Sequence, residues 1–106
     1  MALNCKIYDV QGNEMVSAPI FHFSERVRLD GKLELSCAFR VPAGEIATAI
    51  DAYKGLMNRL LSKVAIYKDE TLVVVYEKYN AVTNVQIDYG SFECTGAILF
   101  GEGIDA

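Results

Sequence analysis

From Lys32 to Val41 the chain alternates without a break. Leu33, Leu35, Cys37, Phe39 and Val41 fall on one side, and Lys32, Glu34, Ser36, Ala38 and Arg40 on the other. Period two over that length specifies a strand with one buried face. It also constrains what pairs with it. Upstream, Phe21, Phe23, Val27 and Leu29 alternate with His22, Ser24, Arg26 and Arg28, and Asp30-Gly31 separates the two runs. Opposed residues of an antiparallel pair share a face, so a two-residue Asp30-Gly31 loop would set Arg28 against Leu33 and mix the apolar and charged sets. A three-residue loop, Leu29-Asp30-Gly31, removes the conflict. Val27 then meets Leu33, Phe23 meets Cys37, Phe21 meets Phe39, and Arg26 faces Glu34. Gly31 takes the left-handed position of a turn with a G1 bulge. Two residues fit poorly: Glu25 lands on the apolar face near Leu35, at an expected bend or bulge, and Arg28 stands opposite Lys32.

The rest of the chain continues the pattern. Residues 4–10 read as a strand with Cys5 and Ile7 on one side, and Gln11-Gly12-Asn13 as a turn. Residues 14–23 are extended, and Pro19 confines them to an edge or breaks them. After Pro42-Ala43-Gly44 the period changes. Ile46, Ile50, Tyr53, Met57, Leu60 and Val64, widened by Leu56 and Leu61, predict one amphipathic helix at about 45–62, with Gly55 inside it. Strands follow at 64–68 and 71–78 around an Asp69-Glu70 turn, then at 81–89. Phe92, Cys94, Ile98 and Phe100 line one face of the last strand, and Gly96 marks a bulge or close approach. The expected fold is α+β and β-dominated: about seven mostly antiparallel strands in a curled sheet, sandwich or small barrel, with one helix, in a single domain over 1–106. The tail 101–106 is small and acidic.

Most function classes lose support on composition and spacing. No apolar run approaches the length of a membrane helix, so membrane insertion is not expected. MALNCKIYDV lacks the flank and apolar stretch of a secretory signal, which suggests the cytoplasm or export by another route. A net charge of −4 argues against nucleic acid. His22 is the one histidine, without the partners a catalytic base or a metal ligand needs, and there is no phosphate loop. No catalytic residue, metal site or cofactor is expected. Cys5, Cys37 and Cys94 have no Cys-x-x-Cys spacing and read as small core residues.

Two groups of residues suggest contacts instead. Tyr67, Tyr76 and Tyr79 cluster around one hairpin and suit either cross-strand packing or a protein contact. In TLVVVY, Leu72 to Val75 are apolar on both faces, which predicts a central strand, or one covered by the helix on one side and another chain on the other. Leu72, Val74, Tyr67, Tyr76 and Tyr79 are therefore the expected contact residues for self-association. The alternative is a monomeric binding module or adaptor using the charged hairpin face, Arg26, Arg28, Lys32, Glu34 and Arg40, for an acidic protein or small anionic ligand.

The order of elements, with a long hairpin FSERVRLDGKLELSCAFRV, then a helix, then paired strands ending in YNAVTNVQIDYGSFECTGAILF, resembles small β-rich modules of bacteriophage tails and related injection machines. The resemblance implies a non-enzymatic structural or assembly protein of a phage or prophage tail or virion. It would work by homo-oligomerising or by binding other structural proteins, and would reside in the virion if phage-derived.

Overall fold

The alternating segments form eight strands in the computed structural model, which describes residues 3–45, 51, 53, 55–57 and 59–102. In chain order they are β1 (Leu3–Asp9), β2 (Glu14–Ile20), β3 (His22–Val27), β4 (Leu33–Pro42), β5 (Leu61–Lys68), β6 (Thr71–Tyr76), β7 (Ala81–Tyr89) and β8 (Glu93–Gly101). All pair antiparallel, in two four-stranded sheets ordered β2-β1-β5-β6 and β3-β4-β8-β7. The architecture is β-dominated, as the alternation predicts.

The β3–β4 hairpin has the register that its charges and glycine require. Val27 pairs with Leu33, Arg26 with Glu34, and Phe23 with Cys37. Gly31 has φ +84°, and its N–H donates to the Arg28 carbonyl at 2.9 Å. The Arg28 N–H donates to the Lys32 carbonyl at 2.8 Å, closing a three-residue loop. Arg28 lies 3.7 Å from Asp30, which offsets its repulsion of Lys32. Two expectations change here. Phe21 does not meet Phe39; the chain passes from one sheet to the other at that residue, its N–H donates to the Ala38 carbonyl, and the exposed ring lies under the Arg40 guanidinium at 5.1 Å. Glu25 needs no bulge. It stands opposite Leu35 in unbroken pairing and, at the sheet rim, reaches Lys78 at 3.7 Å.

Of the expected helix at 45–62, positions 46–50, 52, 54 and 58 lie outside the described residues. Among those described, Ala43–Glu45 form a 3-10 turn. Turn bonds run from the N–H groups of Gly55, Leu56 and Arg59 to the carbonyls of Asp51, Tyr53 and Leu56. The far end of the expected helix is corrected to strand. Leu61 opens β5, its N–H bonded to the Asn80 carbonyl at 2.8 Å, and Leu61, Val64 and Ile66 are buried.

The core forms between the inward faces. Cys5, Ile7, Ala18, Ile20, Val64 and Ile66 come from the first sheet; Leu35, Cys37, Phe39, Val41, Cys94, Ile98 and Phe100 come from the second. Tyr53 and Leu56, from the β4–β5 connection, complete it, Tyr53 at 5.4 Å from Phe39 between ring centroids. All three cysteines are buried and free, and a hydrogen bond with the Cys37 thiol, then burial, holds the Cys5 thiol well above its usual pKa. Gly96 is the point of close approach that the sequence suggests. A Cβ there would lie 2.0 Å from the Gln86 carbonyl oxygen and 2.8 Å from the Phe39 ring.

Gly96→Ala is therefore expected to cost about 3 kcal/mol or more, read as a drop in urea midpoint, since backbone cannot yield as a flexible side chain can. A disulfide-exchange reagent at pH 8 is expected to label no cysteine of the folded chain and all three after denaturation.

Candidate functional site

The outer face of the first sheet is built by alternation from the same strands whose other side fills the core. Lys6 and Tyr8 on β1 stand opposite Ala65 and Lys63 on β5, and Ala65 and Tyr67 stand opposite Val75 and Leu72 on β6. Ammonium groups cover the rings: Lys6 lies 4.9 Å from the centre of Tyr67, and Lys63 lies 4.7 Å from that of Tyr8. Lys6 is also 3.4 Å from Glu14. A hydrogen bond with the Tyr67 hydroxyl, then burial, raises the pKa of Tyr8. These contacts cover the β1 and β5 part of the face. They stop at β6, where Leu72, Val73 and Val75 are 49%, 51% and 37% exposed.

β6 corrects the expectation of a central strand. It is an edge, bonded to β5 on one side and to no strand among the described residues on the other. The other three edges each carry a device that discourages a further strand. β2 contains Glu14 and Pro19, and β3 contains Glu25 and Arg26. β7 has a register break between Val82 and Asn84 together with Asp88. β6 has neither charge nor proline over Thr71–Tyr76. Its one irregularity, between the pairs Ile66–Val74 and Tyr67–Leu72, leaves Val73 as the extra residue and presents it to solvent.

The expected contact residues divide accordingly. Tyr67 and Leu72 lie on the outer face. Val74 and Tyr76 turn inward and pack on the core, and Tyr79 is fully buried, so it is not a surface residue. Tyr76 and Tyr79 instead fasten β6 to the second sheet, with centroids 5.5 Å apart and the Phe23 ring 6.5 Å from Tyr76. Burial first, then the Glu25 charge and a hydrogen bond with it, pushes the Tyr76 pKa up to about 12. Tyr8, Lys6 and Lys63 belong to the surface but escaped the sequence reasoning. Their signal was the alternation of β1 and β5, which gives a face only once the sheet order is known.

The charged hairpin face is largely self-neutralised. Arg26 lies 2.6 Å from Glu34, which is buried; Arg28 pairs with Asp30; and Arg40 lies 3.4 Å from Glu93. Lys32 sits at the exposed turn. Ser24, Arg26, Glu34, Ser36, Gln86 and Leu99 line a shallow hollow of about 300 Å³ over the second sheet. His22 is exposed on β3. Among the described residues no cluster of His, Cys, Asp or Glu has the makings of a metal site, and no helix is long and apolar enough to cross a membrane. No family model, curated protein or solved structure matches the chain.

An alkaline titration tests the clasp at Tyr76. The ordinary tyrosine value is 10.0, so the unfolded chain ionises there first while the folded one keeps Tyr76 neutral. The stability tied to Tyr76 is intact below pH 10 and is lost as the pH rises toward about 12. Melting temperatures are expected to fall over that window, and Tyr76→Phe, which has no proton to lose, is expected to reduce the slope.

Proposed function

We propose that the chain is a non-enzymatic structural or assembly protein that acts by self-association through β6 and the adjoining outer face of the first sheet. The observation that carries this is the contrast among the four edges: β2, β3 and β7 each bear charge, with proline on β2, whereas β6, despite its register break at Val73, is an uncharged apolar strand with Leu72, Val73 and Val75 in solvent. An exposed strand of that kind is a template for another strand. The resemblance of the sequence to small phage-tail modules supports a place in a tail or virion, and hence in the virion or the host cytoplasm that assembles it. The partners are then copies of this chain or other structural proteins. A monomeric module reading its ligand through Arg26, Arg28, Lys32, Glu34 and Arg40 has less support, because three of the four basic groups already have carboxylates.

Mass by light scattering over a hundredfold concentration range is expected to exceed that of the monomer at the upper end. Val73→Lys or Leu72→Lys is expected to return the chain to monomer with its melting temperature almost unchanged, since exposed substitutions cost within about 0.5 kcal/mol. Val74→Lys places a charge against the core and is expected to unfold the chain. A strict monomer at every concentration would overturn the proposal.

A further inference from the structure

We infer that Cys5 and Cys37 join the two sheets by a disulfide when the chain folds in the presence of a small-molecule disulfide, the facing thiols being its reduced state. The inference does not depend on self-association. Cys5 lies on β1 and Cys37 on β4, each an inner strand of its own sheet. Both side chains are fully buried in the core between the sheets, and the two thiols are hydrogen-bonded to one another. The residue beside Cys5 on β2 is Ala18, also fully buried. Sheets that meet at cysteine and alanine close nearer than the about 10 Å of ordinary facing sheets. That closeness suits the Cα separation of about 4.4–6.8 Å that a disulfide requires. Cys94 is excluded by position. It stands opposite Val41, four places along β4 from Cys37 and so roughly 13 Å away along the strand, beyond the reach of about 7 Å.

The oxidant is a dialkyl disulfide of the glutathione type. One cysteine thiolate attacks a sulfur of it and expels a glutathione thiolate; the other cysteine thiolate then attacks the mixed disulfide and expels the second. One S–S bond breaks and one forms. Two electrons pass from the cysteines to the oxidant, and their two protons pass through solvent to the released thiolates. The exchange precedes closure of the sheets, because the folded chain buries both sulfurs and holds the Cys5 thiol protonated. The bond closes a loop from residue 5 to residue 37 and ties one inner strand to the other. Its effect is to remove open states from the unfolded chain while leaving the folded core as it stands.

The test is refolding of the reduced, urea-unfolded chain into a mildly alkaline mixture of oxidised and reduced glutathione, with a parallel sample kept in urea. After acid quenching, the refolded chain is expected to be lighter by two hydrogens and to retain one of its three thiols. Trypsin without reductant is expected to leave the peptide ending at Lys6 joined to the peptide 33–40, with Cys94 free. Chain statistics alone already favour the shortest loop, so the comparison with urea decides. The ratio of bonded to free Cys5–Cys37 is expected to be about a hundredfold or more higher under folding conditions. The bonded chain is expected to melt about 10 °C or more above the reduced one with the same circular dichroism. Cys94→Ala is expected to change neither the bond nor this gain. Three free thiols, a stable glutathione adduct, a bond to Cys94, an equal ratio in urea, or a bonded chain that melts lower would each overturn the inference.

Discussion

Two open sheets have four edges, and every edge is a row of backbone N–H and C=O groups that water or another strand must satisfy. Much of the surface sequence of this chain answers to that requirement. On β2 the answer is Pro19 together with a side-chain bond between Asn4 and Ser17 that ties the edge to β1. On β7 the Asn84 side chain takes the Val85 N–H at 2.9 Å just past the register break, so the strand bonds to itself where it would otherwise offer a donor. On β3 the ion pairs of Arg26 and Glu25 occupy the rim. Against these, β6 has a register break at Val73 but neither charge nor proline.

The interior obeys a different rule, complementarity of size. Phe39 lies across the sheet from Gly96, and the ring occupies the space a side chain on β8 would have taken. Cys5 and Cys37 are small residues facing one another from opposite sheets, so the sheets approach there without a large residue on either side. The β6–β7 link is less economical. The Tyr79 hydroxyl and Asn80 Oδ1 are buried with no hydrogen-bond partner among the described residues, at a cost of about 1–3 kcal/mol each. Burial of the Tyr79 ring against Tyr76 offsets it, and the link stays tight enough to hold β6 at its rim.

Features set by neighbours in sequence were legible from the residues alone. The β3–β4 register follows from a charge pair and one glycine within a short hairpin, and the Asp69-Glu70 turn, with Asp69 at φ +56°, is equally local. Features set by partners far along the chain were not. An apolar strand reads the same whether central or at an edge, so TLVVVY gave no hint of its one-sided pairing. Phe21 matches the inward set of β3 in period, but the chain changes sheets there, and a change of sheet resets which side is inward. Leu60, Leu61 and Val64 suit a helical stripe and a strand alike, and only the bond from Leu61 to Asn80 decides for β5. The outer face made of Lys6, Tyr8, Lys63 and Tyr67 needed the pairing of β1 with β5, some sixty positions apart, before it existed as a surface.

That same pairing has a consequence for how the chain reaches its fold. In both sheets the central joint is the distant one: Leu3 pairs with Lys68 in the first, and Glu34 with Gly101 in the second. Hairpins β1–β2, β3–β4, β5–β6 and β7–β8 close short loops and form early, but each has an unpaired inner strand until its distant mate arrives. Docking those halves is the slow event, which places folding in the range of about milliseconds to seconds typical of non-local β topologies. On a ribosome adding about 5–20 residues per second, β1 and β4 wait seconds for β5 and β8 to be made. During that wait the apolar sides of β1 and β4 are open to solvent, so the nascent chain depends on its charged strands to stay dispersed until the last nine-residue strand emerges.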